Sequence, residues 1–281
     1  MAGGVHPIYN PAGTKGCIMT IKRTDYETIA GTYDQAKIRH AIPPDEHLGA
    51  CLAHRAGAFT VLDVACGTGN YLRVQRAAYP DSRIRWLGID ASPAMLALAR
   101  VKLDPAVELL PGRAEKLPLA DGAVDYLSCS FVFHHFEDKG AALDEMSRVL
   151  RARSGSLRLS NIVPEQMPSW WVYQLFPQAA VEDQKRFWPA ERLYGEIERR
   201  GFVVSPEIRI NQARRTAAEL LREAERRDLS SLAIVGDSCF AGGIERLKQG
   251  AARGESFLDT AAIMLCHGSR AAVRTLPNLS S

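Results

Sequence analysis

The strongest constraint in this sequence is a short apolar run that ends on a glycine turn and passes at once into a helical pattern. Residues 59–65 read FTVLDVA, followed by CGTG and then NYLRVQRAAYP, which Pro80 closes. A brief apolar run bounded by turn residues is a buried strand, and the period changes to that of a helix directly after it. The alternation then repeats. RIRWLGID (83–90) is a strand, and Ser92–Pro93 opens the helix AMLALARVKL, with proline at the first helical position where its missing N–H costs nothing. VELLPG and AVDYLSCSFVF are further strands, DKGAALDEMSRVLR is an amphipathic helix, and SGSLRLSNIV is a fifth strand. Strands alternating with helices predict a parallel sheet covered on both faces, with ligands outside the carboxyl ends of the strands.

The remaining third is less regular. PSWWVYQLF (168–176), PAERLYGEIERRGF (189–202), 213–228 and 240–252 read as helices, while VVSPEIRI and FLDTAAIMLC read as strands. The expected fold is therefore α/β, a Rossmann-like, seven-stranded, mostly parallel sheet with helical additions after the fifth and sixth strands. One domain over 19–272 is expected between flexible tails at 1–18 and 273–281, with a helical insertion at 164–200.

Composition excludes several function classes. With 281 residues, 35 Lys plus Arg against 32 Asp plus Glu and a net charge of +3, the chain has neither a nucleic-acid-coating surface nor a polybasic membrane anchor. No apolar run approaches the roughly 18 residues of a membrane span, and the N-terminus lacks a signal-peptide core. Cysteines 17, 51, 66, 129, 239 and 266 form no C-x-x-C pair. Scattered thiols of this kind suit a reducing compartment, so a cytoplasmic protein, monomeric or homodimeric, is expected.

The glycine turn narrows the ligand. Gly67 and Gly69 let the backbone approach a bound molecule. A dinucleotide fingerprint places a third glycine or alanine three residues further on, whereas this chain has Leu72. Asp63 beneath the turn repels phosphate and attracts an ammonium group. Asp90, at the end of LGID, suits the two hydroxyls of a ribose. A cationic amine and a ribose without phosphate are the features of S-adenosylmethionine.

VLDVACGTG, LGIDASPAML, PGRAEKLPLADGAVDYLSCSFVFHHF and DEMSRVLRARSGSL together resemble, in order and spacing, the class I S-adenosylmethionine-dependent methyltransferases. The subgroup most similar is that of ubiquinone/menaquinone biosynthesis and natural-product enzymes, and the likeness runs from about Tyr26 to Asn161. It implies that Asp63, Ala65 and Gly67 line the methionine end and that Gly69 shapes the same loop. Asp90 and Ala91 then meet the ribose, Met95 packs on the adenine, and Ser130 and Phe131 close the pocket beneath the sulfonium. Where the family commonly has an aspartate that accepts from the adenine amino group, this chain has Arg113, which carries no acceptor. Adenine recognition then falls on the backbone near Ala114 or on guanidinium stacking. Arg153-Ser-Gly-Ser replaces the family's usual Pro-Gly-Gly, a change in a turn.

On the acceptor side, TDYETIAGTYDQAKIRH (24–40) resembles the family's N-terminal lid. Tyr33 is placed to reach the methionine carboxylate, and Tyr26 and Arg39 to face the acceptor. His134 and His135 follow the fourth strand, either as general bases or as residues that shape the pocket. Trp170, Trp171 and Tyr173 either roof a cavity for an apolar or aromatic acceptor or glue a helix to the core. Nine arginines between 192 and 227 face six glutamates, a pattern of solvated helix faces unless several turn inward toward a diphosphate-bearing acceptor. No metal is expected, since Cys129 and the histidine pair lack further ligands at metal-site spacing.

These residues predict methyl transfer to a small-molecule acceptor by in-line displacement, with neither nucleic acid nor membrane as partner. Two alternatives stay open: a protein that binds S-adenosylmethionine without methylating, and a methyltransferase acting on RNA or protein.

Overall fold

The structure is a computed structural model that describes residues 26–34, 42–227 and 229–270. The expected tails, Cys17, Arg39 and parts of the expected lid lie outside the described residues. Seven strands form one sheet: β1 (Phe59–Val64), β2 (Ile84–Asp90), β3 (Glu108–Pro111), β4 (Tyr126–Ser130), β5 (Ser156–Ile162), β6 (Phe202–Thr216) and β7 (Ser256–Arg270). Their order is β3-β2-β1-β4-β5-β7-β6. Every pair from β3 to β5 is parallel, and β7 runs antiparallel to both β5 and β6. The mostly parallel α/β sheet expected from the alternation is the observed one. The order reverses between β1 and β4, and this switch point opens the crevice where ligands of such sheets bind.

Strand side chains alternate between faces. On β1, Leu62 and Val64 join the core packed on α5 (Lys139–Val149), while Phe59 and Val61 join the opposite core, which includes Leu72 of α3 (Asn70–Ala78) and Leu96 of α4 (Pro93–Lys102). Ser92 caps α4 by accepting from Met95 N, and Pro93 occupies the first turn as the sequence requires. Leu72 is fully buried between helix and sheet, filling the position where a dinucleotide fold would carry a small residue.

Four local expectations need correction. The helix α2 (Glu46–Ala53) precedes β1, capped by the buried Asp45, and is absent from the sequence reading. The fourth strand ends at Ser130, and Phe133–His135 form a 3-10 turn instead of continuing it. Residues 213–216 are strand: β6 runs to Thr216, where a capping box with Glu219 starts α9 (Ala217–Arg226). Cys51, Cys66, Cys129 and Cys266 are free thiols, but Cys239 is disulfide-bonded, so the expectation of free thiols fails there.

β6 and β7 extend past the rest of the sheet, since β5 pairs β7 only from Ile263 to Ser269. Over this extension lies a third core built from Trp170, Trp171 and Phe176 with Leu220 of α9 and Leu247 of α11 (Asp237–Ala252). No helix among the described residues is long and apolar enough to cross a membrane.

Candidate active site

Two residues at the carboxyl ends of the central strands take a backbone conformation that is costly without glycine. Ala65, just after β1, and Phe131, just after β4, both have φ of 55°. Left-handed backbone at such residues costs about 1–2 kcal/mol and gathers at functional sites. Both line a cleft of about 340 Å³. Asp90, Ala91, Met95, Arg113, Ala114 and Ser130 line the same cleft, as do Gly67, Tyr26, Tyr33 and His135. An adjoining hollow of about 100 Å³ shares Tyr33, Ala65, Gly67 and Ser130 with the cleft and is floored by Asp63. Together they form a bent trough over β2, β1 and β4.

Asp90 ties the trough together. Its Oδ2 accepts from Gly67 N and its Oδ1 from Ser92 N, both at 2.8 Å, so one carboxylate fixes the glycine loop and the start of α4. Burial nevertheless raises its pKa above the usual carboxylate range, against the lowering effect of these N–H groups.

Asp63 belongs to a polar row set by strand register. Asp63 lies beside Ser128, Ser128 beside Arg158, and Arg158 beside His267. Ser128 Oγ donates to Asp63 Oδ1. Burial pushes the Asp63 carboxyl up to about 7, more than the Ser128 hydrogen bond and the Arg158 charge offset. The carboxyl is 4% exposed and lines the hollow beside Ala65 and Gly67.

The two glycines of the loop differ. Gly67 (φ +54°) faces the trough, where an added Cβ meets only the Tyr33 ring at 4.0 Å. Gly69 (φ +78°) lies against Leu103, which an added Cβ would approach to 2.6 Å, and it lines neither part of the trough. It is the N-cap of α3 and packs on Leu103, so it shapes the loop without lining the trough. Cys66 is buried and its thiol pushed well up by burial and by Asp63 and Asp90, which suits a turn residue and not a nucleophile.

The described part of the expected lid is α1 (Tyr26–Tyr33), which covers the trough and is pinned at both ends. Ser92 Oγ donates to Glu27 at 2.6 Å, and Thr68 and Asn70 donate to Asp34 at 2.8 Å, where Lys102 also binds. Burial of Asp34 is outweighed by these donors, and its pKa falls below the ordinary value. The Tyr26 hydroxyl meets His135 Nε2 at 2.8 Å.

The two histidines part company. His135 lines the cleft; burial, with Arg186 and Lys139 nearby, holds its pKa down at about 3. His134 points away, buried and stacked on Phe187 at 4.1 Å, and does not line the trough. Its placement is that of a packing residue.

A second, larger cavity of about 1040 Å³ opens beyond Ser130 and Phe131, which line it and the cleft alike. Trp170 and Trp171 form part of its wall. Tyr173 does not: it is buried, donates to Asp183 at 2.7 Å and belongs to the third core. Several of the arginines between 192 and 227 do turn into this cavity, and of its arginines sequence reasoning missed only Arg158. Arg158, Arg209, Arg215 and Arg222 line it from β5, β6 and α9. The Thr216-x-x-Glu219 capping signature was the one local signal that would have placed the start of α9. Around the trough it also missed Glu27, Asp34 and Lys102, whose partners lie far off in sequence.

A family described as the methyltransferase domain matches residues 62–156. The chain is 30% identical over 161 residues to a demethylmenaquinone methyltransferase of Chlorobaculum tepidum, covering 55% of this chain and 65% of the relative. It is 30% identical over 155 residues to a malonyl-[acyl-carrier protein] O-methyltransferase of Laribacter hongkongensis, covering 52% and 51%. The matches thus span between half and two thirds of those relatives. Among solved structures, one named as a methyltransferase of an antibiotic-biosynthesis pathway in Anabaena variabilis superposes with a TM-score of 0.60 at 20% identity, covering 81% of this chain and 98% of that one. The matched domain contains the glycine loop and the strands β2, β3 and β4 that frame the trough, so residues 62–156 are similar to the methyltransferase domain, and the fold of the chain is that of the solved structure.

Proposed function

We propose that this protein transfers a methyl group from S-adenosylmethionine to a small-molecule acceptor with an apolar or aromatic part, by in-line displacement. The observation that carries the proposal is the junction at Ser130 and Phe131, where the trough and the larger cavity meet. A cofactor in one and an acceptor in the other would face each other there. When bound, S-adenosylmethionine supplies a methyl group already activated on a sulfonium. The protein's own work is then alignment and exclusion of water.

In this reading Asp63 holds the amino group and Tyr33 faces the carboxylate beside it. Asp90 and Ala91 hold the ribose, while Met95, Arg113 and Ala114 surround the adenine. Gly67 fits this assignment because its missing Cβ keeps the trough open. Arg113 is engaged by Glu137 at 3.1 Å and Glu115 at 3.5 Å, which sets its guanidinium at the rim. His135, held neutral, positions Tyr26 and is a weak base at any pH near 7. The names of the relatives support a small-molecule or carrier-bound acceptor. The near-balanced charge of +3 supports a partner other than nucleic acid. A cytoplasmic enzyme, monomeric or homodimeric, completes the proposal.

The test is calorimetric. Wild-type protein is expected to bind S-adenosylmethionine and S-adenosylhomocysteine, and Asp90→Ala to weaken both by roughly 10- to 100-fold, the worth of charge-assisted hydrogen bonds. Equal affinity in wild type and variant would defeat the assignment. Cofactor binding without any S-adenosylhomocysteine formed from a metabolite pool would favour the non-methylating alternative.

A further inference from the structure

The larger cavity carries a charge pattern that the methyl-transfer reading does not require. Five arginines line it against three carboxylates, Glu219, Glu223 and Asp259. Arg215 is held by Glu223 at 2.6 Å and by Asp259 at 3.5 Å, and its guanidinium lies 5.9 Å from the centre of the Trp171 ring. Glu219 is occupied by the Thr216 cap. Arg158, mostly buried, donates to Ser130 Oγ at 3.2 Å and lies 3.8 Å from Asp45, so it places positive charge at the junction itself. Arg222 makes no ion pair among the described residues. Trp170, Trp171, Ile263 and Leu265 line the same cavity, with Ile263 the register partner of Arg209.

Arg209 is held by Glu207 at 2.5 Å, so a neutral acceptor filling this space would leave Arg222, which has no carboxylate partner among the described residues, covered without compensation, which is costly. An anion would gain charge-assisted, bidentate hydrogen bonds. We propose that the acceptor is an amphiphilic acid, its apolar or aromatic body against Trp170 and Trp171 and its carboxylate or phosphate drawn to the arginines of β6 and α9. The inference rests on the cofactor reading of the trough and names the substrate class of the adjoining cavity.

The probes are naphthoate, naphthyl phosphate and naphthol, titrated calorimetrically into the protein loaded with S-adenosylhomocysteine. At least one of the two anions is expected to bind tenfold or more tightly than naphthol, and their order decides between carboxylate and phosphate. Arg222→Glu, a change at an exposed position, is expected to remove at least tenfold of that preference, and Arg215→Gln to do the same. Lys248→Glu, exposed on α11 outside the cavity, is expected to leave it intact. Binding of naphthol as tight as that of the anions, binding of none of the three, or a preference that survives Arg222→Glu overturns the proposal. Cofactor binding measured in parallel keeps the two readings apart. If it is absent while the anion preference is present without cofactor, the trough assignment fails and the cavity assignment stands.

Discussion

Asp63 shows how one side chain can be legible in its chemistry and illegible in its state. The strand-then-glycine pattern located the carboxyl, but its partners come from register: Ser128 from β4 and Arg158 from β5. Burial with only partial compensation raises its pKa from 3.8 to about 7. For folding, a raised pKa means that the carboxyl's contribution is full below 3.8 and is lost as pH rises through 7. For a cationic ligand the sign reverses, because binding favours the ionised form. Affinity for S-adenosylmethionine is therefore expected to rise about tenfold from pH 6 to pH 8, with proton release visible as buffer-dependent calorimetric heat below pH 7. Asp63→Asn is expected to flatten that dependence and to weaken binding. A flat wild-type profile would show that no cation is held there.

At the scale of elements, the loop from β1 to α3 divides its labour between two glycines that the sequence presents as equivalent. Both have positive φ, so alanine at either is expected to cost about 1–2 kcal/mol of backbone strain. Only Gly67 opens on the trough. Gly67→Ala is expected to lose both melting temperature and cofactor affinity. Gly69→Ala, pressed on Leu103, is expected to lose melting temperature while the folded fraction binds cofactor normally. Thermal melts and calorimetry on the two variants separate the roles. β6 teaches the converse lesson. Near its end, Arg214 and Arg215 carry no strand pattern and read as the start of a helix, yet they pair with Leu258 and Phe257 of β7. A ladder to a distant strand overrode local preference, as β structure commonly does.

For the molecule as a whole, stability against pH is a contest between buried groups. Burial lowers the pKa of His134, His135, His47 and His267, which favours the neutral form of each in the fold. Stability from a histidine with a depressed pKa is full above its unfolded value of 6.5 and is lost as pH falls from there toward the folded value, about 3 for His135. Asp63 acts in the opposite direction over the same range. His135→Asn is therefore expected to gain about 2 kcal/mol on wild type when pH drops from 7.5 to 5, relative to its deficit at 7.5, by the linkage of about 1.4 kcal/mol per unit. Melts at the two pH values check it, and a parallel shift in both proteins would show that His135 is not held neutral.

The parallel half of the sheet, its glycine loop and the acid at the tip of β2 follow from the sequence alone, because each is a contiguous run whose period and turn residues dictate local conformation. What only the tertiary structure decided are pairings across long separations: His134 turned onto Phe187, Tyr173 onto Asp183, and Asp63 in line with Ser128 and Arg158. The arginine wall belongs to the same class. Strand order and helix packing bring β5, β6 and α9 around one cavity, and a charge has no periodicity that announces which face it will share.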